Sequence, residues 1–320
     1  MTKITINIDS ETGIKFQSDD RGFISAATRK VGLLSSIDLT LLPELITAFE
    51  SGFGMTVIKH LSGGYEPSAL KGLKNDLRDN RGCKLITTVG GSVVFSAISE
   101  QGGDVPIVSL LGGLPQAGDS LTNLKGAVTL ESYKSHAERI DYLVHRRQFD
   151  ISNIYLYRNP NSNIRTPESN QWNQLTGSPN PMQIADFSGA NQADKTNNIA
   201  GFISDLGNPA DPQTPGSIAT QLPNARVLVM SADPFFQENR DNLIASANVW
   251  LDQNNGRFVL YPLQDYQRSN TSLHARSACF GPDLRSAYFL LGLLARRVSD
   301  DPSNPPSNLG FYSVPNIAPP

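Results

Sequence analysis

Ser92 stands directly after Gly90-Gly91, where a short apolar run, Leu85 to Val89, ends and an apolar helical pattern begins. A hydroxyl at that place can cap the first turn of a helix, and the N–H groups that follow the glycines are free to hold a carboxylate or a similar group. Other polar residues share this setting. Ser36 and Asp38 lie at and beyond the end of the run Lys30–Ser36, Asn159 follows Asn153–Tyr157, and Asp233 follows Arg226–Ser231. Asp38 or Asp233 could take an amine, and each is equally a residue type that caps a helix. Phe235 and Phe236 have rings able to stack on a ligand, although core packing is the ordinary role of such rings. The candidate ligand-binding set is Ser36, Asp38, Gly91, Ser92, Asn159 and Asp233.

The chemistry of bond-making is harder to find. No GxSxG elbow, Walker A loop or GxGxxG is present, and Ser92 has no base that the sequence makes evident. The four histidines, His60, His136, His145 and His274, form no HExxH and have no cysteine at ligand spacing. His136 and His145 fall on one helical stretch, where surface positions are expected. Cys83 and Cys279 are far apart in sequence and read as reduced, packed thiols. The expectation is a protein that is not an enzyme and carries no cofactor or metal.

These residues need elements that bring them together. Lys84 to Gly113 reads as one β-α-β unit: strand Leu85–Val89, a helix opening at Ser92 and stopped by Gly102-Gly103, then strand Ile107–Leu111. Ahead of it come strand Lys30–Ser36, a helix to about Phe53 with Leu42, Leu45, Ile46 and Phe49 on one face, strand Met55–His60, and a helix opened by Pro67 with Leu70, Leu73 and Leu77 on one stripe. Strands alternating with helices argue for a doubly wound parallel sheet, in which ligands sit beyond the strand ends. The Gly- and Pro-rich stretch 112–123 is the expected crossover to a second domain. There a long helix, Glu131 to Phe149, has Tyr133, Ala137, Ile140 and Val144 inward. Strand Asn153–Tyr157 follows. The polar stretch 161–195 shows strand character only at Met182–Phe187. Strands Arg226–Ser231, Arg257–Tyr261 and Ala278–Gly281 and a broadly apolar helix from Pro282 to about Val298 complete the pattern. The expected domains are 29–118 and 119–270, a return segment 271–299, a β extension 1–28 and a Pro-rich tail 300–320.

A chain of 320 residues suits two domains, and with 39% hydrophobic and 18% charged residues it is globular. A net charge of −3 gives no footprint for nucleic acid, and no apolar run is long enough to span a bilayer. MTKITINIDSETG has no apolar signal region, so the expected location is cytoplasmic, or periplasmic if a signal was removed. Ile4, Ile6 and Ile8 alternate with polar residues and read as the first half of a hairpin that returns over Ile14–Gln17. Residues 300–320 hold six prolines and read as extended.

The segment LVMSADPFFQENRDNLIASA resembles the ABC-transporter substrate-binding proteins with the type I periplasmic-binding fold, in the branch that includes tryptophan-type binding proteins. The residues that carry the likeness are Asp233, Pro234, Phe235, Phe236 and Arg240. Gly281, Pro282, Asp283, Tyr288 and Gly292 fit a second family motif, and Ala48–Gly52, Gly91-Ser92, Val105–Val108 and Asn159–Asn161 fit others, over about residues 30–298. The resemblance implies two Rossmann-like α/β lobes and a small organic ligand, of amino-acid or aromatic-acid type, in the cleft between them. The alternative is a structural or assembly subunit on the same fold, docking or self-associating through residues 1–27 and 300–320.

Overall fold

A computed structural model describes residues 5–9, 13–17, 31–35, 39–54, 58–61, 72, 75–80, 82–89, 105–111, 123–130, 135–162, 165–177, 183–300 and 311–319. The first elements, β1 (Thr5–Asp9) and β2 (Gly13–Gln17), pair antiparallel with Ile8 opposite Ile14, as the alternation of Ile6 and Ile8 requires. This hairpin is a sheet of its own.

The first parallel sheet is built from β3 (Val31–Ser35), β4 (Ile58–Leu61), β5 (Leu85–Val89), β6 (Ile107–Leu111) and β7 (Leu124–Thr129). Every residue of β3, β5 and β6 is buried, which explains why these strands are continuous apolar runs and not alternating ones. Helix α1 (Pro43–Phe53) carries Pro43 in its first turn, where the missing N–H costs nothing, and turns Leu45, Ile46, Phe49 and Phe53 inward. Gly54 ends it in the left-handed conformation, at φ 84°.

The stretch 112–123 is not the boundary of this sheet. β7 lies beyond it and pairs with β6, so the chain leaves the first sheet only after Thr129. Turn-forming residues mark a loop equally well within a domain and between domains. The strands and helix on the far side are α2 (His136–Asp141), which continues as a wider turn over Tyr142–Arg146, β8 (Ile154–Arg158), α3 (Arg165–Thr176) and β9 (Ile184–Asp186). Two findings here depart from the sequence pattern. Helix α3 occupies part of the polar stretch 161–195, held by the fully buried Trp172 and Glu168 and not by an apolar stripe. On α2 the buried face is His136, Arg139 and Ile140, whereas Ala137 is exposed. Polar residues fill that face because they bond to each other, which hydrophobic periodicity does not register.

Two short hairpins, β10 (Ala190–Asn191) with β11 (Thr196–Asn197) and β12 (Gly207–Asn208) with β13 (Asp211–Pro215), flank α4 (Ala200–Leu206). Then come α5 (Ser217–Gln221), β14 (Val227–Met230), α6 (Pro234–Glu238), α7 (Arg240–Asp252), β15 (Phe258–Tyr261), β16 (Ser277–Cys279), α8 (Leu284–Ser299) and β17 (Phe311–Ser313). The second sheet has the order β16-β15-β14-β8-β9, and all its pairings are parallel.

Helix α8 returns to the first sheet. Gly52 of α1 lies against the backbone of Phe289 and Leu293, and Gly292 of α8 lies against the backbone of Phe49 and Phe53, so the two helices cross at backbone distance. One hydrophobic cluster joins α1, α8, β14 and β15, and separate clusters fill the outer faces of the two sheets. Residues 311–319 of the Pro-rich tail are taken up by the fold. Strand β17 adds to the first sheet beside β7, giving the order β17-β7-β6-β5-β3-β4; Val314 is buried, and Ile317 bridges to Gly281. An edge strand presents free N–H and C=O groups, and the chain's own end satisfies them here.

Candidate functional site

Each sheet has one place where the strand order reverses. In the first sheet it lies between β3 and β5, and in the second between β8 and β14. At such a point the loops leaving adjacent strands diverge to opposite faces and open a crevice for a ligand. Ser36 and Asp38 follow β3, and Gly91 and Ser92 follow β5, so the sequence places them next to the first switch point; all four lie outside the described residues. Asn159 and Asp233 follow β8 and β14, at the second.

The structure brings Asn159 and Asp233 together. The Asn159 amide Nδ2 donates to Asp233 Oδ1 at 3.1 Å, and the Phe235 N–H donates to the same oxygen at 3.0 Å. Asp233 is thus the N-cap of α6. It is 3% exposed, and burial raises its pKa against the hydrogen bonds that favour the carboxylate. Asn159 Oδ1 in turn accepts from the Asn161 N–H, and the Asn161 amide donates to Thr196 O and Asn197 Oδ1, tying the β10–β11 hairpin to the loop after β8. Behind them Phe236 is fully buried and Phe235 partly so, in one aromatic group with Tyr157, Phe187 and Phe202.

A groove of about 390 Å³ opens beside this hairpin, lined by Ser188, Gly189, Ala190, Asn191, Asn198 and Gly201 among others. Its size is that of a small-molecule site, roughly 300–1,000 Å³. Its lining residue Ser188 is tied to Asp205, whose carboxylate accepts from the Ser188 N–H at 2.8 Å and from Tyr157 Oη at 2.7 Å.

Under the strand ends lies a polar group that sequence reasoning put on the surface. His136 and Glu168 are fully buried, with His136 Nε2 3.0 Å from Glu168 Oε1. Burial lowers the His136 pKa, against the pull of Glu168, so the ring is neutral and donates from Nε2. Ser231 Oγ donates to the other Glu168 oxygen at 2.6 Å. Arg139, also fully buried, has its pKa lowered by desolvation to about 10 and stays charged. It donates to Phe280 O at 2.9 Å and Pro262 O at 3.1 Å, which fixes the loops leaving β15 and β16.

Residues at the boundary between the lobes were not in the predicted set. Arg240 Nη2 donates to Glu44 Oε1 at 2.9 Å, joining the start of α7 to the first turn of α1. Gln237, Tyr261, Tyr266 and Tyr288 are buried with polar side-chain atoms that have no partner. The pattern that could have found Arg240 is its place in the Asp233–Arg240 motif. Tyr266 has no comparable signal. Among the described residues no group of His, Cys, Asp and Glu has the arrangement of a metal site, both cysteines are free and buried, and no helix is long and apolar enough to cross a membrane.

Two parallel α/β lobes, each with its switch point at the carboxyl ends of its strands, joined through α8, make up the type I periplasmic-binding-protein fold. No family profile and no curated protein matches the sequence. Solved structures do match the fold. The transcription regulator CcpA of Lactococcus lactis has a TM-score of 0.57 at 10% identity, covering 90% of this chain and 97% of that one. A possible leucine/isoleucine/valine-binding protein from Rhodopirellula baltica has 0.52 at 14%, covering 85% and 80%. The LacI-family regulator CcpA from Weissella paramesenteroides with bound glucose has 0.52 at 12%, covering 90% and 96%.

Proposed function

We propose that this protein is a small-molecule binder, not an enzyme, and that its ligand sits in the cleft between the lobes. The observation that carries the reading is the coincidence of three features at the carboxyl end of the second sheet: a switch point, the linked pair Asn159 and Asp233, and buried polar side chains without partners close by. Folded proteins leave few such atoms unpaired, and each costs free energy in the empty state. A ligand that pairs them recovers that energy, which favours a binding role. The neighbours with bound glucose, and named for leucine, isoleucine and valine, support small organic ligands as a class. The narrower reading, a solute receptor of the tryptophan-type ABC branch for amino or aromatic acids, rests on the sequence motifs.

The test is a thermal-shift screen of amino acids, aromatic acids, sugars and nucleosides, because a ligand that binds only the folded chain raises its stability. A shift of several degrees that saturates with concentration is the expected outcome. Silence across all four classes refutes the proposal.

The β1–β2 hairpin motivates a second reading, an assembly role, because a lone two-stranded hairpin is marginal in water. Size-exclusion chromatography before and after removing residues 1–27 tests it; an unchanged monomer refutes it.

A further inference from the structure

Across the described residues the buried polar atoms without partners divide almost evenly between donors and acceptors, but around Arg240 they do not. Arg240 has two nitrogens, Nε and Nη1, buried and unpaired, while Nη2 reaches Glu44 on the other lobe. A guanidinium only donates. Gln237, 3% exposed, has both amide atoms unpaired, and the Tyr266 hydroxyl, on a side chain 1% exposed, is unpaired as well. Tyr266 lies within electrostatic reach of both Asp233 and Arg240, and its ring stacks on Tyr261 at 4.8 Å between centroids. The other cation of this region, Arg268, is already taken by Asp265 and Asp283. Asp233 Oδ1 is occupied by Asn159 and by the cap of α6, and its carboxylate also hydrogen-bonds Ser162. Among the described residues, Arg240 Nε and Nη1 and Gln237 Nε2 can only donate, Gln237 Oε1 can only accept and the Tyr266 hydroxyl can do either, so the surplus is of donors, with Asp241 and Asp265 as well as Glu44 within electrostatic reach of the guanidinium.

We propose that the interlobe site takes a carboxylate, and that Arg240, with Gln237 and Tyr266 beside it, is the anchor that binds it. The inference rests on the cleft-binding reading above and goes beyond it by assigning the anionic end of the ligand to the second lobe and to side chains, where the sequence pointed to backbone N–H groups at Gly91 and Ser92. Nε and Nη1 point to different sides of the guanidinium, so a carboxylate would take one of them with one oxygen and a hydroxyl or amide donor with the other. The Glu44 bond holds the guanidinium across the lobe boundary, which pre-orders it for a ligand enclosed there.

The experiment uses matched pairs of probes on the full chain: phenylacetate and phenylacetamide, indole-3-acetate and indole-3-acetamide, L-leucine and L-leucinamide, with glucose and adenosine as neutral probes. Thermal shift and titration calorimetry are the readouts. At least one carboxylate is expected to bind, with its amide about 10- to 100-fold weaker, the range of a lost charge-assisted bond. Arg240→Met keeps the length of the stem and is expected to erase the preference for the carboxylate. Tyr266→Phe removes only a hydroxyl, keeps the ring stack, and is expected to weaken the carboxylate several-fold; it decides the matter if Arg240→Met does not fold. An amide or neutral probe that binds as well as its carboxylate, or carboxylate binding unchanged in these variants, overturns the carboxylate assignment and leaves the cleft-binding reading standing. Silence of all probes overturns both.

Discussion

Replacing Gly292 with alanine sets two known effects against each other. In an open helix the change stabilises, by about 1 kcal/mol, because glycine loses more backbone freedom on folding. Gly292 is not open. A Cβ added there would lie 2.8 Å from Phe53 N and 3.1 Å from Phe49 C, with Phe49 O closer still. All three are backbone atoms of α1, so no side chain can swing away. Restoring a carbon–oxygen contact of roughly 3.3 Å requires the helices to part by on the order of 1 Å. A gap of that size costs the buried Phe49 and Phe53 part of their dispersion contacts, and overpacking of this kind costs about 1–3 kcal/mol. With three backbone clashes the upper half of that range applies, and it exceeds the propensity gain by about 1–2 kcal/mol.

The assay is urea denaturation followed by far-UV circular dichroism. Gly52→Ala makes the mirror-image clash with Phe289 and should behave alike. Once either alanine has parted the helices, the second has less to displace. The double variant should therefore lose less stability than the sum of the singles, as coupled neighbours do. A Gly292→Ala protein as stable as the parent, or more stable, refutes the close crossing of α1 and α8.

Other outcomes follow from the buried polar groups. Burial, with the Asp283 charge, raises the Asp265 pKa to about 6 from an unfolded value of about 3.9. The folded state then holds this proton more tightly, so the contribution of Asp265 is full below about pH 4 and is lost as pH rises through about 6, by up to about 3 kcal/mol. Asp265→Asn keeps an acceptor for the Leu284 N–H and should flatten that decline in urea titrations at pH 4 to 7; an unchanged slope argues against it. His136 shifts the opposite way: its pKa is lowered, so its contribution is present above about pH 6.5 and falls away below it. Glu168→Ala strands His136, Ser231 and the charge of Arg139 together and should cost about 3–5 kcal/mol, read as a large drop in the denaturation midpoint. Asn159→Ala removes one donor from buried Asp233 and should cost about 1–3 kcal/mol, with the far-UV spectrum preserved. Removing residues 311–320 takes away β17 and the buried Val314, and should expose the β7 edge and lower thermal stability; an unshifted melting curve shows that the strand contributes nothing.

The buried strands were legible because covering a parallel sheet on both faces demands runs such as VGLLS, LITTV and VLVM, which no polar environment would tolerate. The inner face of α1 and the capping role open to Asp233 followed from equally local rules: side-chain periodicity and the free N–H groups of a first helical turn. Helix α3, the buried His136–Glu168–Ser231 group and the uptake of residues 311–317 into the fold were not legible. Each depends on a partner distant in sequence, 32 residues away for His136 and Glu168, and a polar residue with a partner looks the same in sequence as one in water. The site divides along the same line. Strand ends and their polar loops are local, so the places of Asn159 and Asp233 beyond β8 and β14 could be read from the chain alone, and their contact could not. The bond between Glu44 and Arg240, 196 residues apart, and the unpaired donors of Gln237, Arg240 and Tyr266 exist only once two sheets and a returning helix meet, because only that meeting excludes the water that would otherwise satisfy them.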